Sequence, residues 1–116
     1  MLTIYHNPQC KKSRAGLEFL KASGEPFMVR EYLKQPLSEK ELEKLLVKLN
    51  MKPADLIRTQ EAAYRTTLKG KSFNDHELVR ILCDNPKLIR RPVVERKYAA
   101  VIGDPVENIR TLLSSS

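Results

Sequence analysis

Met1-Leu2-Thr3-Ile4-Tyr5-His6-Asn7-Pro8-Gln9-Cys10-Lys11-Lys12-Ser13-Arg14 is the stretch on which the fold turns. Its apolar opening reads as a strand, Asn7-Pro8 as a turn, and the residues after Cys10 begin a helical pattern. The thiol therefore falls at a strand-to-helix turn. Amides of a first helical turn have no partners within the helix and carry partial positive charge. Lys11, Lys12 and Arg14 add full positive charge nearby. Such surroundings favour the thiolate and convert an inert thiol into a nucleophile. The same stretch without its cations would read as one more buried, unreactive cysteine.

Cys10-Lys11-Lys12-Ser13 has the spacing of a Cys-x-x-Cys redox pair with a hydroxyl in place of the second sulfur. Ser13 could donate a hydrogen bond to the Cys10 thiolate, or it could be an ordinary first-turn serine bonding to backbone. In neither case can it resolve a mixed disulfide. The resolving thiol must come from another protein, from glutathione or from Cys83. His6 has two readings: an imidazole that titrates near neutrality and tunes the thiol, or a strand-end hydrogen bonder.

Working outward, the first helix carries Ala15, Leu17, Phe19 and Leu20 and stops at Gly24, which can take the left-handed conformation of a helix end. Phe27-Met28-Val29-Arg30 reads as a strand. Ser38 with Glu41, and Leu37 with Leu42, form a capping box and a hydrophobic staple ahead of the stripe Leu42, Leu45, Leu46, Leu49. Asn74 and Phe73 repeat the device before a helix running to about Asp84. Cys83 on that helix reads as core, and His76 as solvated. Arg91-Pro92 precedes a strand, where a proline is tolerated and its peptide bond can be cis or trans. Val93-Val94-Glu95-Arg96 and Ala99-Ala100-Val101-Ile102 flank Lys97-Tyr98 as a hairpin, and Pro105 is expected to start a last helix carrying Val106, Ile109, Leu112 and Leu113. Ser114 to Ser116 should fray. This order matches an α/β, thioredoxin-like fold: a four-stranded mixed sheet in one domain, 1–116, with 37–86 as a helical insertion between the second and third strands.

At 116 residues and 41% hydrophobic, the chain suits one domain with one core. No apolar run approaches a membrane span, and no basic-then-apolar leader opens it. Two cysteines far apart make no disulfide framework, which fits the reducing cytoplasm. The net charge of +7 is spread over solvated faces, with Lys40, Lys44 and Lys48 recurring opposite one apolar stripe. Without basic-aromatic interleaving it gives no platform for nucleic acid. The chain is read as a monomer.

Ile4-Tyr5-His6-Asn7-Pro8-x-Cys10-x-x-Ser13-Arg14 resembles the opening of the glutaredoxin-coupled arsenate reductase (ArsC) family, whose relatives include YffB-type glutathione-dependent thiol reductases and Spx regulators. Leu56-Ile57-Arg58, Phe73-x-Asp75 and Arg91-Pro92-Val93-Val94 follow in the family's order, so the resemblance covers nearly the whole chain. It implies a thiol-dependent oxidoreductase with no bound cofactor or metal, with glutathione as co-substrate and glutaredoxin as partner. By matching position, Cys10 would attack an oxyanion or disulfide, with His6 and Ser13 as its catalytic neighbours. Arg58 and Arg91 would clamp the oxyanion through their planar forks, and Asn7, Arg14 and Pro92 complete the implied substrate site. A YffB-type reductase of glutathione mixed disulfides is one alternative. An RNA polymerase-binding Spx-like regulator is the other, although Ser13 breaks the Cys-x-x-Cys switch typical of that group. The chain departs from arsenate-reducing members at Gly103-Asp104-Pro105, where they have an arginine before the proline. Asp104 would either repel an oxyanion or turn away to cap the last helix.

Overall fold

A computed structural model describes residues 1–114. The chain divides into two compact units, the first made of residues 1–35 with those from Arg91 onward, the second of Pro36–Arg90.

The first unit is built on a four-stranded sheet, β1 (Leu2–Tyr5), β2 (Phe27–Arg30), β3 (Val93–Glu95) and β4 (Ala100–Ile102), in the order β2-β1-β3-β4. β1 runs parallel to β2, Leu2 facing Phe27 and Tyr5 facing Arg30, and a parallel pair needs a crossover, here α1 (Lys11–Ser23). β3 pairs antiparallel with β1, Ile4 opposite Val94, and with β4, Val94 opposite Val101. The β3–β4 turn is closed by the Arg96 N–H donating to the Ala99 carbonyl at 2.7 Å. The inner strands bury Leu2, Ile4, Val93 and Val94, whereas edge strand β2 leaves Met28 and Val29 exposed. Leu20 of α1 joins Leu2, Ile4, Val94, Ile109 and Leu112 in one core.

α1 does not bury the face its larger apolar residues suggested. Ser13, Gly16 and Leu20 are inward, Leu17 and Phe19 are half-buried, and Ala15 is exposed. The small residues face inward because α1 lies hard against Pro92: a Cβ added at Gly16 would come within 2.9 Å of Pro92 Cγ. Gly24 ends the helix at φ 77°, a conformation glycine adopts without steric cost. The last helix, α5 (Glu107–Ser114), begins two residues later than Pro105, since the Pro105 carbonyl accepts from Asn108 N–H at 3.0 Å in a turn. Asp104 is thus not its cap. Ser114 is helical, and the expected fraying at Ser115 and Ser116 lies outside the described residues. Both Arg91-Pro92 and Asp104-Pro105 are cis.

The second unit holds α2 (Glu39–Leu49), α3 (Ala62–Thr67), α4 (Asp75–Asp84) and single 3-10 turns at Pro53–Leu56 and Pro86–Leu88. Both capping boxes form: Ser38 Oγ accepts from Glu41 N–H at 3.1 Å, and Asn74 Oδ1 from Glu77 N–H at 2.8 Å. Leu42, Leu45 and Leu46 of α2 and Leu78, Val79 and Leu82 of α4 are buried. His76 is exposed, as its place in a first turn predicts.

Candidate active site

The turn between β1 and α1 builds the site from local bonds. Asn7 accepts at its carbonyl from Cys10 N–H (3.0 Å) and at Oδ1 from Gln9 N–H (3.0 Å), so Asn7-Pro8-Gln9-Cys10 is a tight turn with proline at its second position. Cys10 then stands at the N-cap with extended backbone (φ −100°, ψ 123°), and its carbonyl accepts the first helical bond, from Arg14 N–H at 3.0 Å. The residue is 8% exposed.

The contact on the sulfur comes from the far end of the sequence. Arg91 donates Nε–H to Cys10 Sγ at 3.0 Å across 81 residues of chain. Burial acts most strongly on this thiol and raises its pKa; against it stand the backbone N–H of Ser13, the charge of Arg91, the backbone N–H of Lys12 and the Arg91 hydrogen bond. The net result lies below the ordinary thiol value. Two of the three cations expected to do this work are engaged elsewhere. Arg14 donates Nη1–H to the Pro8 carbonyl at 2.9 Å, and Lys12 Nζ pairs with Asp104 Oδ2 at 3.2 Å.

Ser13 meets Cys10 through its amide and not through its hydroxyl. The hydroxyl is fully buried, accepts from Asn7 N–H at 2.9 Å and lies 2.7 Å from His6 Nδ1. The hydroxyl thus ties the Asn7 backbone to the His6 ring, and the direction of the Ser13–His6 bond follows the tautomer of the imidazole. Burial lowers the His6 pKa most; Glu31 raises it, and Arg14 and Lys21 lower it, leaving a ring that stays neutral below its usual range. His6 is thereby joined to the helix start that carries the thiol.

Arg91 is held in place through Pro92. That proline is fully buried, its carbonyl accepts from Gly103 N–H at 2.7 Å, and a Cβ at Gly103 would stand 3.0 Å from Pro92 Cγ. Gly16 and Gly103 thus let two backbones close on one proline ring, which fixes the residue before it. A glycine inside a helix costs about 1 kcal/mol relative to alanine, and that cost at Gly16 is the signal in the sequence that could have revealed the close packing. Arg58 belongs to the second unit, where its Nη1 meets Glu61 Oε2 at 3.1 Å and the Lys87 carbonyl at 3.0 Å. Cys83 is half-buried on α4, and burial, then Glu39, Asp84, Glu41 and Glu43, push its thiol up to about 11. Among the described residues no group of three His, Cys, Asp or Glu side chains is placed to hold a metal.

A mixed sheet of this order, with a cysteine at the N-cap of the first crossover helix and a cis-proline strand start bringing an arginine to it, defines a thioredoxin-like, thiol-dependent oxidoreductase. The chain belongs to the ArsC family, whose model matches residues 5–112. It is 40% identical over 108 residues to a protein of Escherichia coli K12 called YfgD, covering 91% of each chain. It is 34% identical over 114 residues to an arsenate reductase of Neisseria meningitidis, covering 97% of each. Among solved structures, a putative arsenate reductase from Yersinia pestis superposes with a TM-score of 0.90 at 38% identity, over 96% of this chain and 99% of that one. An arsenate reductase from Vibrio cholerae gives 0.90 at 34% identity, over 95% of both. A YFFB protein shares the fold alone, with a TM-score of 0.76 at 12% identity, over 88% of this chain and 90% of that one.

Proposed function

We propose that the chain is a monothiol arsenate reductase that draws its electrons from glutathione and glutaredoxin. The observation that carries the reading is the Arg91 Nε to Cys10 Sγ contact of 3.0 Å, which holds a guanidinium at the thiol and helps to bring its pKa below the ordinary value. The relatives called arsenate reductases, similar over nearly their whole length, supply the substrate class.

In the proposed cycle the Cys10 thiolate attacks arsenic(V) and displaces one oxygen as water after protonation. Arg91 moves from sulfur to the oxyanion, offering a planar pair of donors to oxygens that share the negative charge. Glutathione adds to the arsenic in turn. The two thiols then give up an electron pair to arsenic, which leaves as arsenite while Cys10 and glutathione remain joined as a disulfide. Ser13 cannot resolve that disulfide, so glutaredoxin does, through its own thiols. His6 and Ser13 position the helix start throughout, and Asn7 and Arg14 shape the turn in front of it. A reducing cytoplasm suits a free thiol of this kind.

The experiment is a coupled assay with glutathione, glutaredoxin, glutathione reductase and NADPH, offering arsenate and, separately, a glutathione mixed disulfide. Arsenate-dependent NADPH oxidation that vanishes in Cys10→Ser is the expected result. Turnover of the mixed disulfide alone would overturn arsenate as the substrate and assign the chain to glutathione-dependent thiol reduction instead.

A further inference from the structure

Lys12 is the second residue of α1, two positions after the thiol-bearing N-cap, and its ammonium adds charge near any anion approaching Cys10. It is not free. Its Nζ sits 3.2 Å from Asp104 Oδ2, with the side chains 65% and 40% exposed respectively. The carboxylate is the anchored partner: Asp104 comes directly after Gly103, whose N–H donates to the Pro92 carbonyl at 2.7 Å and where an added Cβ would stand 3.0 Å from Pro92 Cγ and 3.1 Å from Ile109 Cδ1. Asn108 Nδ2 fixes the preceding strand end by donating to the Ile102 carbonyl at 2.9 Å. The contacts close a ring, from Cys10 Sγ to Arg91, through Pro92 and Gly103 to Asp104, and through Lys12 back along the helix to Cys10. Asp104 is therefore tied by these contacts to residues on both sides of the thiol, and the longer, more exposed lysine reaches it.

We infer that Asp104 is a specificity-determining residue whose carboxylate cancels the charge of Lys12 at the rim, so that Cys10 selects for negative charge on the incoming reagent less strongly than a free Lys12 would make it. An exposed pair of this kind contributes little to folding. Its effect is on approach: an anion meets the Arg91 charge with that of Lys12 cancelled, and gains less over an uncharged partner of the same size than it would beside a free Lys12. Within the arsenate reading, on which the choice of nucleophile rests, this narrows the advantage of the doubly charged oxyanion over the singly charged one.

The test compares labelling of Cys10 by iodoacetate, an anion, and iodoacetamide, its neutral isostere, with each rate followed by peptide mapping. Asp104→Asn should raise the iodoacetate-to-iodoacetamide rate ratio by about 2- to 5-fold, the effect of removing one charge at a partly solvated rim. Lys12→Gln should lower the ratio, and the double variant should fall near wild type. The difference should shrink in about 0.5 M salt, where screening shortens to a few ångströms. A ratio unmoved in both single variants, with melting temperatures intact, overturns the inference. Faster labelling of Cys83 than of Cys10 in the wild type would instead overturn Cys10 as the nucleophile. A ratio that moves in a protein unable to turn over arsenate would support the charge discrimination and reject only the substrate.

Discussion

Replacing Arg91 by alanine removes the one side-chain donor that, among the described residues, is placed on the Cys10 sulfur, and leaves the burial of the thiol in place. A hydrogen bond to a charged group contributes about 1.5–3 kcal/mol. Each 1.36 kcal/mol is a factor of ten in the balance between thiol and thiolate, so at a pH below the midpoint the thiolate fraction should fall about 10- to 100-fold. The rate falls less, because a more basic sulfur is a better nucleophile, and a Brønsted slope of about 0.4–0.5 returns nearly half of the loss on a logarithmic scale. Iodoacetamide should therefore label Cys10 about 4- to 15-fold more slowly in Arg91→Ala at neutral pH, with the rate profile displaced to higher pH. Arg91→Lys, which keeps the charge and loses the planar fork, should fall between the two. The assay is alkylation rate against pH with peptide mapping, beside a thermal melt to show that the fold survives. A rate within twofold of wild type across the profile, in a protein that melts normally, would refute the assignment of Arg91 as the stabiliser of the thiolate.

The same geometry sets three further outcomes. Ser13→Ala strands the Asn7 N–H and His6 Nδ1 in a buried place, which should cost about 1–3 kcal/mol and lower the melting temperature by about 4 °C per kcal/mol in a chain of this size. Gly16→Ala gains helix propensity of about 1 kcal/mol but drives a Cβ to 2.9 Å from Pro92 Cγ, an overpacking cost of about 1–3 kcal/mol. It should melt lower and slow Cys10 labelling by displacing Arg91, whereas Gly24→Ala, strained only by its φ of 77°, should melt lower with labelling unchanged. For Cys83 the folded thiol holds its proton up to about 11 while the unfolded one ionises at the ordinary thiol value of 9.0. Its contribution to stability is full below 9.0 and lost as pH rises toward about 11, so urea titrations at rising pH should show a steeper alkaline loss for wild type than for Cys83→Ala.

Much of the site was legible because it is local. A strand, a turn with proline and a helix start occupy consecutive residues, and the bonds that place Cys10 at the N-cap all run within Asn7–Arg14. The capping boxes at Ser38 and Asn74 were legible for the same reason, since three residues of spacing decide them. The start of α5 was not, because proline at a first helical position and proline in a turn just before it look alike in sequence.

The sequence by itself determined where the reactive thiol stands, which elements surround it and, through its resemblance to a family, the class of chemistry. Only the tertiary structure decided which charge acts on that thiol. Lys11, Lys12 and Arg14 are near in sequence, yet Lys12 is paired with Asp104, Arg14 is bonded to Pro8, and Arg91 makes the contact with the sulfur. The reason is that a hydrogen bond acts over about 3 Å and a direction, and neither is a property of sequence separation. Both are set by β3 lying beside β1 and by two glycines that let Pro92 seat between α1 and the end of β4.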